Sequence, residues 1–140
     1  MSTFNTGKIT FEYPNSWDVE KADILSNPDC IATLSKGQNN LINAVSFPTA
    51  TNLDDYKIFM EDVIGDDGGV ILASDFVRIA DKDAIKLHAN MDTPKINFDI
   101  HTYVFIEYGV IYIFELRTLG VSGESEKEFE DIISTFSILE

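Results

Sequence analysis

The chain contains two histidines, and both fall in the stretch from Ala84 to Leu119. Its alternating apolar residues read as three consecutive antiparallel strands joined by Asp92-Thr93-Pro94-Lys95 and Tyr108-Gly109. If Asp92 and Lys95 flank the first turn, one face sets His88 opposite Asp99, Asn90 opposite Asn97 and Lys86 opposite His101. The other face pairs Met91 with Ile96, Ala89 with Phe98 and Leu87 with Ile100. A carboxylate beside an imidazole orients the ring and raises its basicity, as a general base or a metal ligand requires. Two imidazoles and a carboxylate hold Zn²⁺ only if their side chains converge, and no Ser or Cys stands beside His88 to act as a nucleophile. Polar pairing on a solvated patch explains the same residues with fewer demands.

Other chemistry-bearing types are acidic. Asp54-Asp55, Glu61-Asp62, Asp66-Asp67, Asp81 with Asp83, and Glu124 through Asp131 form clusters, but none has the ligand spacing of an EF-hand, and Ca²⁺ wants six to eight converging oxygens. Asp66 and Asp67, set among Gly65, Gly68 and Gly69, are the best acidic loop candidates, and solvated turn residues account for them more simply. That glycine-rich segment is no phosphate cradle: it follows a helix, lacks the terminal Lys-Ser/Thr, and its acids repel phosphate. Tyr103, Phe105, Tyr112 and Phe114 could line an apolar ligand pocket; core beneath a helix is the simpler assignment.

The elements that must position these residues follow from periodicity. Gly7 to Tyr13 alternates as a half-buried strand and is stopped by Pro14; Trp17, Val19 and Ala22 resume an extended pattern. Ser26-Asn27-Pro28-Asp29 marks a turn, and Cys30–Ser35 and Leu41–Phe47 make a hairpin around Lys36 to Asn40. Asn52 reads as an N-cap for a helix whose Leu53, Tyr56, Phe59, Met60, Val63 and Ile64 share one face. Val70–Ile79 is a further strand, turned by Asp81-Lys82-Asp83 into the central unit. With Tyr108-Gly109 as a two-residue turn, Tyr103 meets Phe114, Val104 meets Ile113, Phe105 meets Tyr112 and Ile106 meets Ile111, and the apolar cover thins at Thr102 with Glu115 and Ile100 with Arg117. Strands apolar on both sides need cover on both sides, so helices are expected above and below the sheet. After Gly120 and Gly123, Ser125 with Glu128 has capping-box spacing, and Phe129, Ile132, Ile133 and Phe136 line a second helix. A short strand is expected from Ser137 to Glu140.

The 140 residues suit one domain spanning residues 1–140, and a hydrophobic content of 44% supports a packed core. The lone Cys30 forms no internal disulfide and is expected to be a buried spectator thiol. The opening residues carry no basic flank or apolar run, and no stretch is apolar enough to span a bilayer, so a cytoplasmic protein without membrane association is expected. With 24 acidic against 10 basic residues, a net charge of -14 disfavours nucleic acid and anionic membranes and leaves cations or a basic protein partner. No cofactor motif is found.

The corner Phe11-Glu12-Tyr13-Pro14 with Trp17, a helix after the fourth strand, and a closing helix carrying Phe129, Ile132, Ile133, Ser134, Phe136 and Ile138 together resemble the PsbP-like family, over about Gly7 to Leu139. That family shares an antiparallel α/β/α sandwich with the Ran-binding Mog protein. The resemblance implies an α+β fold and a non-enzymatic protein that docks on others or acts as an accessory factor, with no common active site. Many small relatives are exported or lipid-anchored, and no leader is read here. Relatives also often place Gly in the turn that reads Ala80-Asp81-Lys82-Asp83-Ala84. The sequence thus leads to a non-catalytic interaction module for a protein partner, with a small-molecule or metal-binding protein, using the aromatic pocket or the His88, Asp99, His101 and Lys86 patch, as the alternative.

Overall fold

The computed structural model describes residues 1–21, 29–92, 94–95, 97–119 and 123–139. The expected turn at Ser26 to Asp29, Ala22, Ile96, Gly120 and Glu140 lie wholly or partly outside the described residues. Among the described residues, ten strands and two helices are formed in the order β1 (Ser2–Asn5), β2 (Ile9–Tyr13), β3 (Asp18–Lys21), β4 (Cys30–Lys36), β5 (Asn40–Pro48), α1 (Leu53–Asp66), β6 (Val70–Ile79), β7 (Lys82–Asp92), β8 (Asn97–Glu107), β9 (Val110–Leu119), α2 (Gly123–Ser134) and β10 (Ser137–Ile138). Seven strands pair in the order β3-β4-β5-β9-β8-β7-β6, and β1-β2-β10 make a separate sheet. Every pairing is antiparallel. Among the described residues, the edges of the large sheet are therefore β3 and β6.

The β8–β9 hairpin has the register that its turn dictates: Tyr103 faces Phe114, Val104 faces Ile113 and Ile106 faces Ile111. Tyr108 and Gly109 both take positive φ, 52° and 75°, as a turn of the I′ type requires. The β7–β8 hairpin differs from expectation by two residues. Asp92 pairs with Asn97, so His88 faces His101, Lys86 faces Tyr103, Asn90 faces Asp99, Ala89 faces Ile100 and Leu87 faces Thr102. A two-residue type I′ turn centred on Thr93-Pro94 would need positive φ at proline, whose ring fixes φ near about -65°, and the type II′ alternative would need it at the β-branched Thr93. The longer connection removes that conflict. Because side chains repeat every two residues, a slip of two changes partners but keeps every side chain on its expected face.

Adjacent residues of β8 point to opposite faces, which divides the interior in two. The Tyr103 face holds one large cluster, in which Phe105, Phe114, Leu116, Leu34, Ile42 and Ala44 meet Phe129, Ile132 and Ile133 from α2, Phe136 beyond it, and Phe4, Ile9 and Phe11 from the small sheet. Strand β1, unforeseen in the sequence, belongs here: Phe4 stacks on Phe11 with centroids 4.9 Å apart. Its presence makes α1 follow the fifth strand rather than the fourth. The Val104 face is sparser, with Ile85, Val104 and Ile111 buried beneath Leu53, Tyr56 and Met60 of α1.

The proline corner gains a physical explanation. Trp17 N–H donates to Pro14 O at 3.1 Å, and the buried indole donates from Nε1 to Glu128 Oε2 at 3.3 Å. Lys36 Nζ donates to the other oxygen of Glu128 at 2.6 Å and to Glu124 at 3.0 Å; these bonds, the one to Glu128 first, raise the lysine pKa. Glu128 is thus bound to Trp17 and Lys36 and is not the return partner of a capping box. The helix starts at Gly123, and Ser125 lies inside its first turn and is buried. At α1 the expected cap is present: Asn52 accepts from Asp55 N at 2.8 Å.

Candidate functional site

Two places combine accessible groups with an unusual environment. The first is the polar patch on the Tyr103 face beside α2. His88 and His101, direct cross-strand partners, stack with centroids 4.1 Å apart and planes 16° from parallel. Asn90 Nδ2 donates to Asp99 Oδ1 at 2.8 Å, while Asp99 Oδ2 stands 3.6 Å from His88 Nε2, beyond hydrogen-bonding distance. Glu126 Oε1 of α2 lies 4.0 Å from His101 Nδ1. Burial, and after it the neighbouring His88, lowers the His101 pKa below its usual value, outweighing Glu126 and Asp99. Lys86 joins the strip but turns toward Tyr103, its Nζ 5.9 Å from the ring centroid. The crevice between Lys86, His101 and α2 holds only about 10 Å³, room for one water and none for an organic ligand.

The second place is α1 and its surroundings. None of its residues is buried. Phe59 and Val63, which share the stripe expected to face the core, are 57% and 41% exposed, and Ile58 on the flank is 60% exposed. Phe76 of edge strand β6 is 54% exposed, with Lys57 Nζ 5.6 Å from its ring centroid. Between α1 and the sheet runs a groove of about 660 Å³, lined by Tyr56, Phe59, Met60, Phe98, Ile113 and Arg117 among others. A hollow of about 360 Å³ shares Ile113 and Arg117 and reaches Cys30. Cys30 is therefore half-buried at the rim of a depression, and not the fully buried thiol expected. Arg117 pairs with Glu115 and lies over Phe98, 5.6 Å from its centroid.

The remaining candidates are placed as follows. Tyr103, Phe105 and Phe114 are buried in the core against Phe129 and Phe136, so these three line no pocket, while Tyr112, partly buried against Phe136, lines a separate hollow with Ile9, Phe47 and Val110. Asp66 ends α1 and Asp67 caps it, with its N–H on Gly65 O and Val63 O. Neither joins a group of three convergent ligands among the described residues, whereas His88, Asp99 and His101 do, their donor atoms all lying within 4.8 Å of one another. Sequence periodicity located the stripe on α1 but could not show that it stays uncovered, because exposure depends on what packs opposite.

No protein-family model matches the chain and no curated protein gives a significant match. Solved structures do. A structure from Bacteroides thetaiotaomicron VPI-5482 is similar over 99% of this chain at 14% identity with a TM-score of 0.68, and the chain spans 48%, about half, of its length. The cyanobacterial PsbP (CyanoP) of Synechocystis sp. PCC 6803 is similar over 98% of this chain and 90% of its own, at 13% identity and a TM-score of 0.66. A point mutant of the protein Mog1 is similar over 99% of this chain and 97% of its own, at 11% identity and a TM-score of 0.62. The chain has the fold of PsbP and Mog1: a single domain with a large antiparallel sheet and two helices.

Proposed function

We propose that this protein is a non-catalytic interaction module with α/β/α layering, which docks a basic protein partner on the open side of α1 and the adjoining edge of β6. The observation that carries this reading is the absence of any buried residue in α1 although the helix bears Ile58, Phe59, Tyr56, Met60 and Val63. A helix of a stable monomer normally buries its apolar stripe, and a contiguous apolar exposure rimmed by charge is characteristic of a binding surface. The chemistry of the occupant follows from the rim. Asp54, Asp55, Glu61, Asp62 and Asp66 of α1 stand against Lys57 alone, on a chain of net charge -14, so a positively charged partner is steered toward this face and a second copy is repelled. Strand β6 adds a free backbone edge with Val70, Leu72 and Phe76 exposed, interrupted by a register shift between Ile71 and Ala73; such an edge can take an extended segment of a partner.

The test is affinity capture with the wild-type chain and with an Ile58→Ser/Phe59→Ser variant, each at low and high salt. A specific partner that is basic, is lost by the variant and weakens as salt screens the rim is the expected result. A partner retained equally by the variant removes α1 from the interface, and one indifferent to ionic strength removes the electrostatic steering.

A further inference from the structure

We infer that His88, Asp99 and His101 form a binding site for one borderline divalent cation of the Zn²⁺ class, on the face of the sheet opposite α1 and independent of the docking surface. Three observations converge. The donor atoms of the three residues lie within 4.8 Å of one another. His88 Nε2 is buried and has no hydrogen-bond partner, a rare state for a buried polar atom and one that a cation ligand would satisfy. The atom facing it, Asp99 Oδ2, is 3.6 Å away, too far to accept a hydrogen bond.

That distance has a specific meaning. Zn–N and Zn–O bonds of about 2.0–2.2 Å at a tetrahedral angle place two donors about 3.3–3.5 Å apart. His88 and Asp99 are therefore set close to the spacing at which a cation bridges them, and the donor nitrogen of His101 lies within 4.8 Å of both donor atoms.

The surroundings fit. Asn90 fixes the other carboxylate oxygen of Asp99 at 2.8 Å, as a supporting group does for a metal ligand. Two imidazoles and one carboxylate select borderline metals over Ca²⁺ or Mg²⁺. The two rings are direct cross-strand neighbours on β7 and β8. Lys86 is turned to Tyr103, and Glu126 faces His101 from α2. Ala73, the β6 partner of His88, is exposed and presents only a methyl group beside it.

The experiment uses the full chain stripped of metal. Zn²⁺ titration by calorimetry and Co²⁺ titration by visible absorption are expected to give one ion per chain, with the intense Co²⁺ bands of a tetrahedral site. His88→Ala, a half-exposed position that leaves the core untouched, and Asp99→Asn are each expected to weaken binding at least tenfold and to abolish those bands. Excess Mg²⁺ should not displace the ion. Unchanged affinity in His88→Ala, displacement by Mg²⁺ that marks diffuse binding to surface carboxylates, or no stoichiometric uptake would each overturn the assignment. Partner capture at α1 is read separately, so the two readings stand or fall independently.

Discussion

The two faces of the large sheet are made from the same strands, yet they are finished differently. On the Tyr103 face, α2 and the small sheet close over a continuous aromatic and aliphatic cluster. On the Val104 face, α1 covers the small cluster of Ile85, Val104 and Ile111 and leaves a groove beside it. The sequences of the helices reflect this. Helix α2 spends Phe129, Ile132 and Ile133 on the interior, while α1 keeps Ile58, Phe59 and Val63 at the surface. Apolar residues at helical spacing thus stabilise a fold in one case and remain available to a partner in the other.

The largest expected contrast is in core truncation. Phe114→Ala, at the centre of the closed face where Phe11, Phe105 and Phe136 all meet its ring, should cost about 3–5 kcal/mol in chemical denaturation. A loss below about 1 kcal/mol would mean that this face is no better packed than the other. Next comes the tie between corner and helix. Glu128→Ala strands the buried indole N–H of Trp17 and frees Lys36, and should cost about 1–3 kcal/mol, whereas the neighbouring Glu124→Ala, whose side chain is largely exposed, should cost at most about 1 kcal/mol.

The closed face also shapes alkaline stability. Burial, then the charges of Glu130 and Glu126, raises the Tyr103 phenol well above its ordinary value of 10.0. Above pH 10 the unfolded chain releases this proton while the folded chain keeps it, so stability is intact below that pH and falls as pH rises toward the folded pKa, by at most about 1.4 kcal/mol per unit. Tyr103→Phe should flatten that part of the profile; an unchanged slope would contradict it.

Smaller still is the β6–β7 turn, where Ala80 and Asp81 hold positive φ of 56° and 60°. Ala80→Gly should stabilise by about 0.5–1 kcal/mol by relieving the left-handed alanine. At the bottom of the scale, Ile58→Ser and Phe59→Ser on the open face should each change stability by no more than about 0.5 kcal/mol, and a larger loss would show that α1 is structural after all.

Much of this architecture was legible in the sequence. The bounds of β6, the Asn52 cap and the β8–β9 register follow from local chemistry alone, since a Tyr-Gly turn and an N-cap act over a few residues. The β7–β8 register was missed because alternation fixes a face but not a partner, and only the geometry of Pro94 distinguishes the two pairings. Strand β1 was missed because Ser2–Asn5 carries one apolar anchor, Phe4, whose partner Phe11 lies across a turn. At the candidate sites, the parity of the strands brought His88, Asp99 and His101 together despite the wrong pairing. The unpartnered Nε2 and the openness of α1 depend on distant packing and leave no local signal.

The most direct test of the contrast between the faces is native-state hydrogen exchange on the full chain, alone and with any partner that the proposed capture yields. The free chain should show α1 amides exchanging through openings well below global unfolding, with those of Phe129 to Ile133 near the global limit. Partner binding should slow exchange in α1 and β6 only. Equal protection of both helices in the free chain, or slowing confined to α2 on binding, would contradict the account.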